Sequence, residues 1–312
     1  MVKELLRSKS LNANCPSDLE HGMSALALAA VSGQADIFTI LASDTRIDRD
    51  SQDNSRNGIL INAALGGNEE IVKQILRWPS LNINQRGMDG STALMWAASR
   101  GDDSIMKLLL DDEYESIDPN LKNEEPHLEL QMGAGEIIDA YSAVGIVPPR
   151  RHPLVTLYER SSFRVLPGYN ALDRAVRANH VCTVELLLKD RRIDMYGCDR
   201  EGRTPFMRAA MNGNLEVVNL FLNSEYAGTN RADIWGGTAV QFAALDGHWD
   251  VLEALLRCPG LNTQGVLEQA ALGGHQGFLA RLIHSPVITS REEIQRAVDA
   301  VEFHGASSYR SA

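Results

Sequence analysis

Arginine recurs at one position of a short repeated string, where its side chain could bind an anion. Arg174 in "LDRAVRAN" and Arg208 in "FMRAAMNG" each precede an alanine, and the two arginines are 34 residues apart. A guanidinium is a planar fork of donors that fits a carboxylate or a phosphate, and it also stacks on aromatic rings. The alternative is that these arginines are solvated or paired internally, as Asp173 and Arg177, four residues apart, could be.

Residue types that serve as catalysts or metal ligands lack the spacing that such sites need. There is no Ser-His-Asp order, nucleophile elbow, phosphate loop or H-E-x-x-H string. The two glycines of "GAGEII" (133–138) lack the third glycine of a dinucleotide fingerprint. His180, His248 and His275 each open an apolar helical stretch, where a packing role is expected. We therefore predict no catalytic residue, no cofactor and no metal ion.

Composition and charge exclude several classes of partner. Among 312 residues the formal net charge is −11 and the hydrophobic fraction is 44%, so a core can form while a general nucleic-acid or acidic-membrane binder is disfavoured. No apolar run approaches the roughly 18–20 residues of a membrane helix, and the first residues do not resemble a signal peptide. The four cysteines form no C-x-x-C pair, which is typical of reduced thiols. The predicted compartment is cytoplasmic or nuclear.

A repeated string of the type Ala-Ala-x-x-Gly predicts the helices that carry these residues. Its copies end at seven positions, which are Gly33, Gly67, Gly101, Asn179, Gly213, Gly247 and Gly274. One spacing is 78 rather than 34 residues, so one unit contains an insertion of about 44 residues. The alanines allow a first helix to approach its neighbour, the Gly or Asn ends that helix, and an apolar second helix such as 71–76 follows.

The unit "DREGRTPFMRAAMNGNLEVVNLFL" (199–222) resembles a repeat of the ankyrin family, with finger sequences similar to those of fungal ankyrin arrays. The resemblance implies an all-α solenoid of stacked helix-turn-helix units with finger loops, about seven units plus an N-terminal half-unit. We predict a single domain over residues 1–312, divided into a half-repeat 1–19, repeats 20–120, an insertion 121–164, repeats 165–288 and a capping helix 290–305. No unit keeps the histidine of the family's first helix, which is replaced by Ala27, Ile61, Met95, Asp173, Met207, Gln241 and Glu268.

The insertion and the N-terminus are the irregular parts of this array. Residues 121–164 fall inside a finger, and a segment of this length forms either a flexible loop or a lid over the groove. The helix that should pair with residues 2–16 would lie before residue 1. The chain therefore either starts within a repeat or is a fragment of a longer array.

In ankyrin repeats the finger tips and the exposed side of the first helix form the binding surface. The resemblance therefore implies a basic and aromatic partner-binding site on the concave side, made of Trp96, Arg100, Tyr169, Arg174, Arg177, Arg203, Arg208, Trp235 and Phe242. The expected ligand is an acidic or anionic segment of a protein partner, bound by a monomer.

The predicted function is that of a non-enzymatic scaffold or adaptor for protein–protein interactions, and the family resemblance extends this to a regulator such as a transcription co-regulator. The alternative is a small-molecule-binding or catalytic pocket formed by the groove and the 121–164 insertion. In that alternative, Tyr141, Tyr158 or Asp173 would supply acid–base groups beneath the lid. An ordered insertion that closes the groove would favour the pocket, and an open groove would favour the scaffold.

Overall fold

The computed structural model describes residues 6, 12–16, 22–114, 116–123, 168–224, 228–283, 292 and 294–298. Over these ranges the structure is helical, with one isolated bridge between Ala232 and Thr238 and no strand. The helices are α1 Ala25–Val31, α2 Ala35–Ala42, α3 Ile59–Gly66, α4 Glu69–Leu76, α5 Ala93–Arg100, α6 Asp103–Leu109, α7 Ala171–Ala178, α8 Val181–Lys189, α9 Pro205–Met211, α10 Leu215–Asn223, α11 Ala239–Leu245, α12 Trp249–Leu256, α13 Val266–Leu272 and α14 Gln276–Ile283. None of the described helices is long and apolar enough to cross a membrane.

The chain divides into two compact units, residues 1–171 and 172–312. In the first unit, α1, α3 and α5 pack in one row, and α2, α4 and α6 pack in a second row. In the second unit, α9, α11 and α13 form one row, and α8, α10 and α12 form the other. Each unit is therefore a stack of helix–turn–helix repeats, and the all-α solenoid predicted from the repeated string is confirmed.

Small residues allow the first helices of neighbouring repeats to approach closely. Ala63 is fully buried, and a Cβ on Gly66 would lie 2.2 Å from the carbonyl oxygen of Ala30. In the second unit, a Cβ on Gly273 would lie 2.1 Å from the carbonyl oxygen of Leu245. Both distances are far shorter than a non-bonded contact allows, so a larger residue at Gly66 or Gly273 would push the neighbouring helix away.

Two histidines at the start of second helices tie their repeats to the preceding ones in the second unit. His248 Nε2 lies 2.8 Å from the Met211 carbonyl oxygen, and His275 Nε2 lies 2.9 Å from the Leu245 carbonyl oxygen. Since a carbonyl can only accept, Nε2 donates in both contacts. These bonds satisfy carbonyls at the end of the preceding first helix. The interpretation of these two histidines as packing residues is confirmed.

Two finger turns of the second unit are each closed by one backbone hydrogen bond and one buried aspartate side chain. The Asp199 N–H donates to the Arg203 carbonyl at 3.0 Å, and Asp199 Oδ1 accepts from the Arg203 N–H at 2.9 Å. Asp233 makes the same two contacts with Gly237, at 2.9 and 2.7 Å. An aspartate that bonds the backbone ahead of it is a common turn former. Here it holds the finger tip in a fixed position relative to the next first helix.

The inserted segment enters the chain at such a turn. The Asn123 N–H donates to the Tyr169 carbonyl at 2.9 Å, and Asn123 Oδ1 accepts from the Tyr169 N–H at 2.7 Å. These contacts match those of Asp199 with Arg203, but the partners are 46 residues apart instead of four. Three predicted segments lie largely outside the described residues, namely the half-repeat 1–19, the insertion 121–164 and the capping helix 290–305.

Arg56 adopts a left-handed backbone conformation at a place where other finger turns have glycine. Its φ is 56°, and Gly90, Gly202 and Gly236, which occupy the same place in their turns, have φ values of 72°, 74° and 85°. A side chain in this region strains the backbone by roughly 1 kcal/mol. We expect Arg56→Gly to raise the free energy of unfolding by about 1 kcal/mol in urea denaturation.

The reverse substitution Gly236→Arg is the control, because a Cβ at Gly236 meets no atom within 4 Å. Only backbone strain then distinguishes the two residues, and the free energy of unfolding should fall by a similar amount. Unchanged stability in both variants would show that the left-handed turn does not strain Arg56.

Candidate partner-binding site

Arg208 is buried within the second unit. It is 6% exposed, and its guanidinium forms an ion pair with Asp199, whose Oδ1 holds the finger turn. A buried arginine is tolerated when a carboxylate compensates its charge at contact distance. The exposed groove position predicted for Arg208 is therefore wrong, and the alternative of internal pairing is correct for this residue. The pair joins the first helix α9 to its own finger.

In the first unit, Arg100 also pairs with a carboxylate. Arg100 Nε donates to Asp102 Oδ2 at 2.6 Å. Trp96 is half-buried on α5, whereas Tyr169 is buried and its backbone closes the finger turn described above. Of the predicted site residues in this unit, Arg100 is paired internally and Tyr169 has a structural role. Trp96 is the one with a partly accessible side chain that neither of these roles explains.

Arg174 and Arg177 lie on α7 in the second unit. Arg174 is half-buried and Arg177 is exposed in the last turn of the helix, while the neighbouring Asp173 is fully buried. A cation in the last turn of a helix is favoured by the helix dipole. The position of Arg177 is therefore explained by the helix itself and does not require a ligand.

Three of the predicted residues, Arg203, Trp235 and Phe242, come together in the second unit. Arg203 Cζ lies 5.3 Å from the centroid of the Trp235 ring and 5.5 Å from that of the Phe242 ring. Gly237 leaves space for this arrangement, because a Cβ there would lie 2.6 Å from Phe242 Cζ. Cation–π contacts with two rings restrict the orientation of the guanidinium plane.

Two carboxylates of the chain itself flank Arg203. Glu201 forms an ion pair with Nη1, and Asp233 Oδ2 lies 3.5 Å from Nε. The Nε of Arg203 is itself buried, and it makes no hydrogen bond among the described residues. The charge of Arg203 is therefore compensated by its neighbours while its hydrogen-bond donors are not saturated.

These side chains border a cleft of about 390 Å³. We call it the finger cleft, and its walls include Arg203, Asp233, Trp235, Gln241, Phe242 and Gln269 together with two glycines. At the tip of the adjoining finger, Ile234 and Trp235 are each 65% exposed. The finger cleft is thus an open concave surface whose walls combine two aromatic rings with charged and amide side chains.

Gln241, which was not among the predicted site residues, connects two fingers. Its Oε1 accepts from the Thr238 N–H at 2.9 Å, and its Nε2 donates to the Gln264 carbonyl at 2.8 Å. Gln241 stands where the family has its histidine, so an amide here joins the helix start to the finger loop. Its position in the repeat is the signal that would have identified it.

Gln269 was also absent from the predicted site. It lines the finger cleft, and its carboxamide has no hydrogen-bond partner among the described residues. In the repeat it occupies the position of Arg208 and Phe242. That alignment identifies it as a surface candidate, but a neutral amide gives no charge signal in a search for anion-binding residues.

Stacked pairs of short helices joined by finger turns define an ankyrin-repeat solenoid. The family model described as "Ankyrin repeats (3 copies)" matches residues 45–123 and 172–266, which is more than half of the chain. The chain therefore belongs to the ankyrin-repeat family, as its resemblance predicted.

Similar proteins support the same conclusion about the fold. Inversin from Danio rerio is 41% identical over 64 residues, which are 20% of this chain and 6% of inversin. The crystal structure of EF0377, an ankyrin repeat protein, has a TM-score of 0.55 at 22% identity and covers 76% of this chain and 98% of that one. The ankyrin repeat domain of Bcl-3, a member of the IkappaB protein family, has a TM-score of 0.58 at 21% identity, covering 89% and 99%.

The chain spans only a small part of the curated relative that it matches, and the two solved structures are similar in fold alone. Ankyrin repeats generally bind protein partners. The chain is accordingly a scaffold for protein–protein interaction, and the finger cleft is the strongest candidate for the surface that makes the contact.

Proposed function

We propose that the second unit of this scaffold binds an acidic segment of a partner protein in the finger cleft. The arrangement of Arg203 is the observation that supports this most directly. Two aromatic rings hold its guanidinium in the wall of the finger cleft, where the Arg203 side chain remains 21% exposed. A partner carboxylate at the outer edge of the guanidinium would form charge-assisted hydrogen bonds that the internal carboxylates do not make.

The proposed acidic group is a single carboxylate. Neither Arg100, which lies in the first unit, nor Arg208, which is buried against Asp199, lines the finger cleft, so Arg203 is the arginine available there. The net charge of −11 also repels a strongly acidic partner at long range. We therefore propose a segment that presents one Asp or Glu to Arg203, beside an apolar side chain.

Trp235 is the proposed contact for that apolar side chain. It is largely exposed, and Trp and Arg are enriched among the residues that carry most of the energy of an interface. The adjacent Ile234 N–H donates to the Glu201 carbonyl at 3.1 Å, which fixes the finger tip to its neighbour. A tip that is held in place before binding loses less conformational entropy when the partner arrives.

Selection of a displayed random-peptide library on the wild-type chain tests this proposal. We expect Trp235→Ala to weaken the selected peptides at least about thirtyfold, since loss of a hot-spot side chain costs about 2 kcal/mol or more. We expect Arg203→Lys to weaken them about three- to tenfold, because lysine keeps the charge but loses the planar fork. Fluorescence anisotropy with labelled peptides measures both affinities.

Met88→Ala is the matched control for Trp235→Ala. Met88 is 50% exposed at a finger tip of the first unit, and its N–H donates to the Ser55 carbonyl at 2.7 Å, as Ile234 does to its own neighbour. Peptide affinity should be unchanged in this variant. Selected peptides that lack Asp and Glu, or that bind Trp235→Ala as tightly as the wild type, would contradict the proposal.

The wider role of the scaffold remains a prediction from the family resemblance. This applies to regulation of a transcription factor, to the cytoplasmic or nuclear compartment and to the monomeric state. We do not propose a small-molecule or catalytic pocket, because the 121–164 segment that would close it lies largely outside the described residues.

A further inference from the structure

We infer that Gln269 binds the main chain of the partner segment and that this segment lies extended across the finger cleft. The inference rests on the proposed function and adds a residue that positions the bound segment, together with the backbone conformation of that segment. Gln269 is half-buried in the wall of the cleft, and its carboxamide has no hydrogen-bond partner among the described residues. The other amide of the cleft, that of Gln241, already bonds both the Thr238 N–H and the Gln264 carbonyl.

The protein itself shows how a side-chain amide binds a non-helical chain. Asn84 Nδ2 donates to the Ser116 carbonyl at 2.7 Å, while Asn84 Oδ1 accepts from the Asp118 N–H at 2.9 Å. Asn14 and Asn230 each form the same pair of bonds, again with a carbonyl and with the N–H two residues later. In an extended chain these two backbone groups point to the same side.

Gln269 has the same donors and acceptor as these asparagines. Arg203, Trp235 and Gln269 line one cleft of about 390 Å³. A segment that contacts the arginine and the tryptophan therefore passes within reach of the amide. Two backbone bonds to Gln269 would fix the register of the segment without selecting any of its side chains, whereas Arg203 and Trp235 select its acidic and apolar residues.

A backbone methylation scan of a selected peptide tests this inference. Replacing each peptide N–H in turn by N–CH₃ should identify one position at which the wild type loses affinity about three- to tenfold, as expected for one hydrogen bond. Gln269→Leu should weaken the unmodified peptide by at least that factor, because it removes both backbone bonds. In Gln269→Leu, methylation at that position should have no further effect, because the two changes remove the same interaction.

Gln264→Leu is the matched control, since Gln264 is an exposed glutamine outside the cleft wall. It should leave the methylation profile of the wild type unchanged. Equal methylation losses in the wild type and in Gln269→Leu would overturn the inference. Unchanged affinity in Gln269→Leu would also overturn it. If Trp235→Ala still loses binding in that experiment, the proposed function stands. Peptides that bind Trp235→Ala as tightly as the wild type would overturn both.

Discussion

Arg208→Met is expected to lower the free energy of unfolding by about 3–5 kcal/mol, which is the cost of removing one member of a buried ion pair. The side chains of Arg208 and Asp199 are only 7% and 2% exposed. Without the guanidinium, the buried Asp199 side chain loses the group that compensates it. Urea denaturation followed by circular dichroism measures the loss.

The double variant Asp199→Asn/Arg208→Met separates the charge from the turn. The asparagine retains the oxygen that accepts from the Arg203 N–H, but no charge is left buried. Replacement of a whole buried pair is often nearly neutral, so we expect the double variant to recover most of the loss. Glu185→Ala, which removes an exposed pair with Lys189, should cost no more than about 0.5 kcal/mol. A similar small loss in Arg208→Met would show that the buried pair does not stabilise the fold.

Gly247→Ala should destabilise the second unit by about 2–3 kcal/mol, and Gly274→Ala by only about 1–2 kcal/mol. Both glycines have a left-handed backbone, with φ values of 77° and 74°, so alanine strains both positions alike. A Cβ on Gly247 would lie 2.4 Å from His275 Cε1, whereas a Cβ on Gly274 meets no atom within 4 Å. The additional loss is that of the His275 bond to the Leu245 carbonyl, about 1 kcal/mol.

A double-mutant cycle with His275→Ala assigns this difference. In the His275→Ala background, Gly247→Ala should cost no more than Gly274→Ala, because the ring that opposes the methyl group is absent. Thermal unfolding of the four variants measures the coupling. If Gly247→Ala and Gly274→Ala are equally stable in the wild-type background, the His275 ring does not restrict the size of the residue at position 247.

The fold could be predicted from the sequence because each repeat is a local structure with a fixed length. The alanines, the helix-ending glycines and the turn residues of one unit recur in the next, and the copies agree with each other. The candidate site was harder to predict from the sequence than the fold. Nothing in the string around Arg208 shows that Asp199, nine residues earlier, folds back beneath it. The repeat position of Arg208 indicated exposure, while the contact that buries it depends on the path of the finger.

The structure brings together two of the predicted finger residues and one residue of a first helix. Arg203 and Trp235 were assigned to finger positions near the turn, and the structure brings their side chains together. The sequence could not show that Glu201 and Asp233 compensate the charge of Arg203, because those ion pairs depend on side-chain positions within and between fingers. The prediction from the sequence therefore overestimated the positive charge around Arg203.

The turn closed by Asn123 and Tyr169 makes the finger tip a position at which the chain can be opened. The residues on either side hold each other directly, so the helices do not depend on a short connection between them. The entropy of closing a loop rises only with the logarithm of its length, and the long excursion costs roughly 2 kcal/mol more than a three-residue tip. Tips such as 200–202 and 234–236 are therefore positions for new chain ends or a grafted domain.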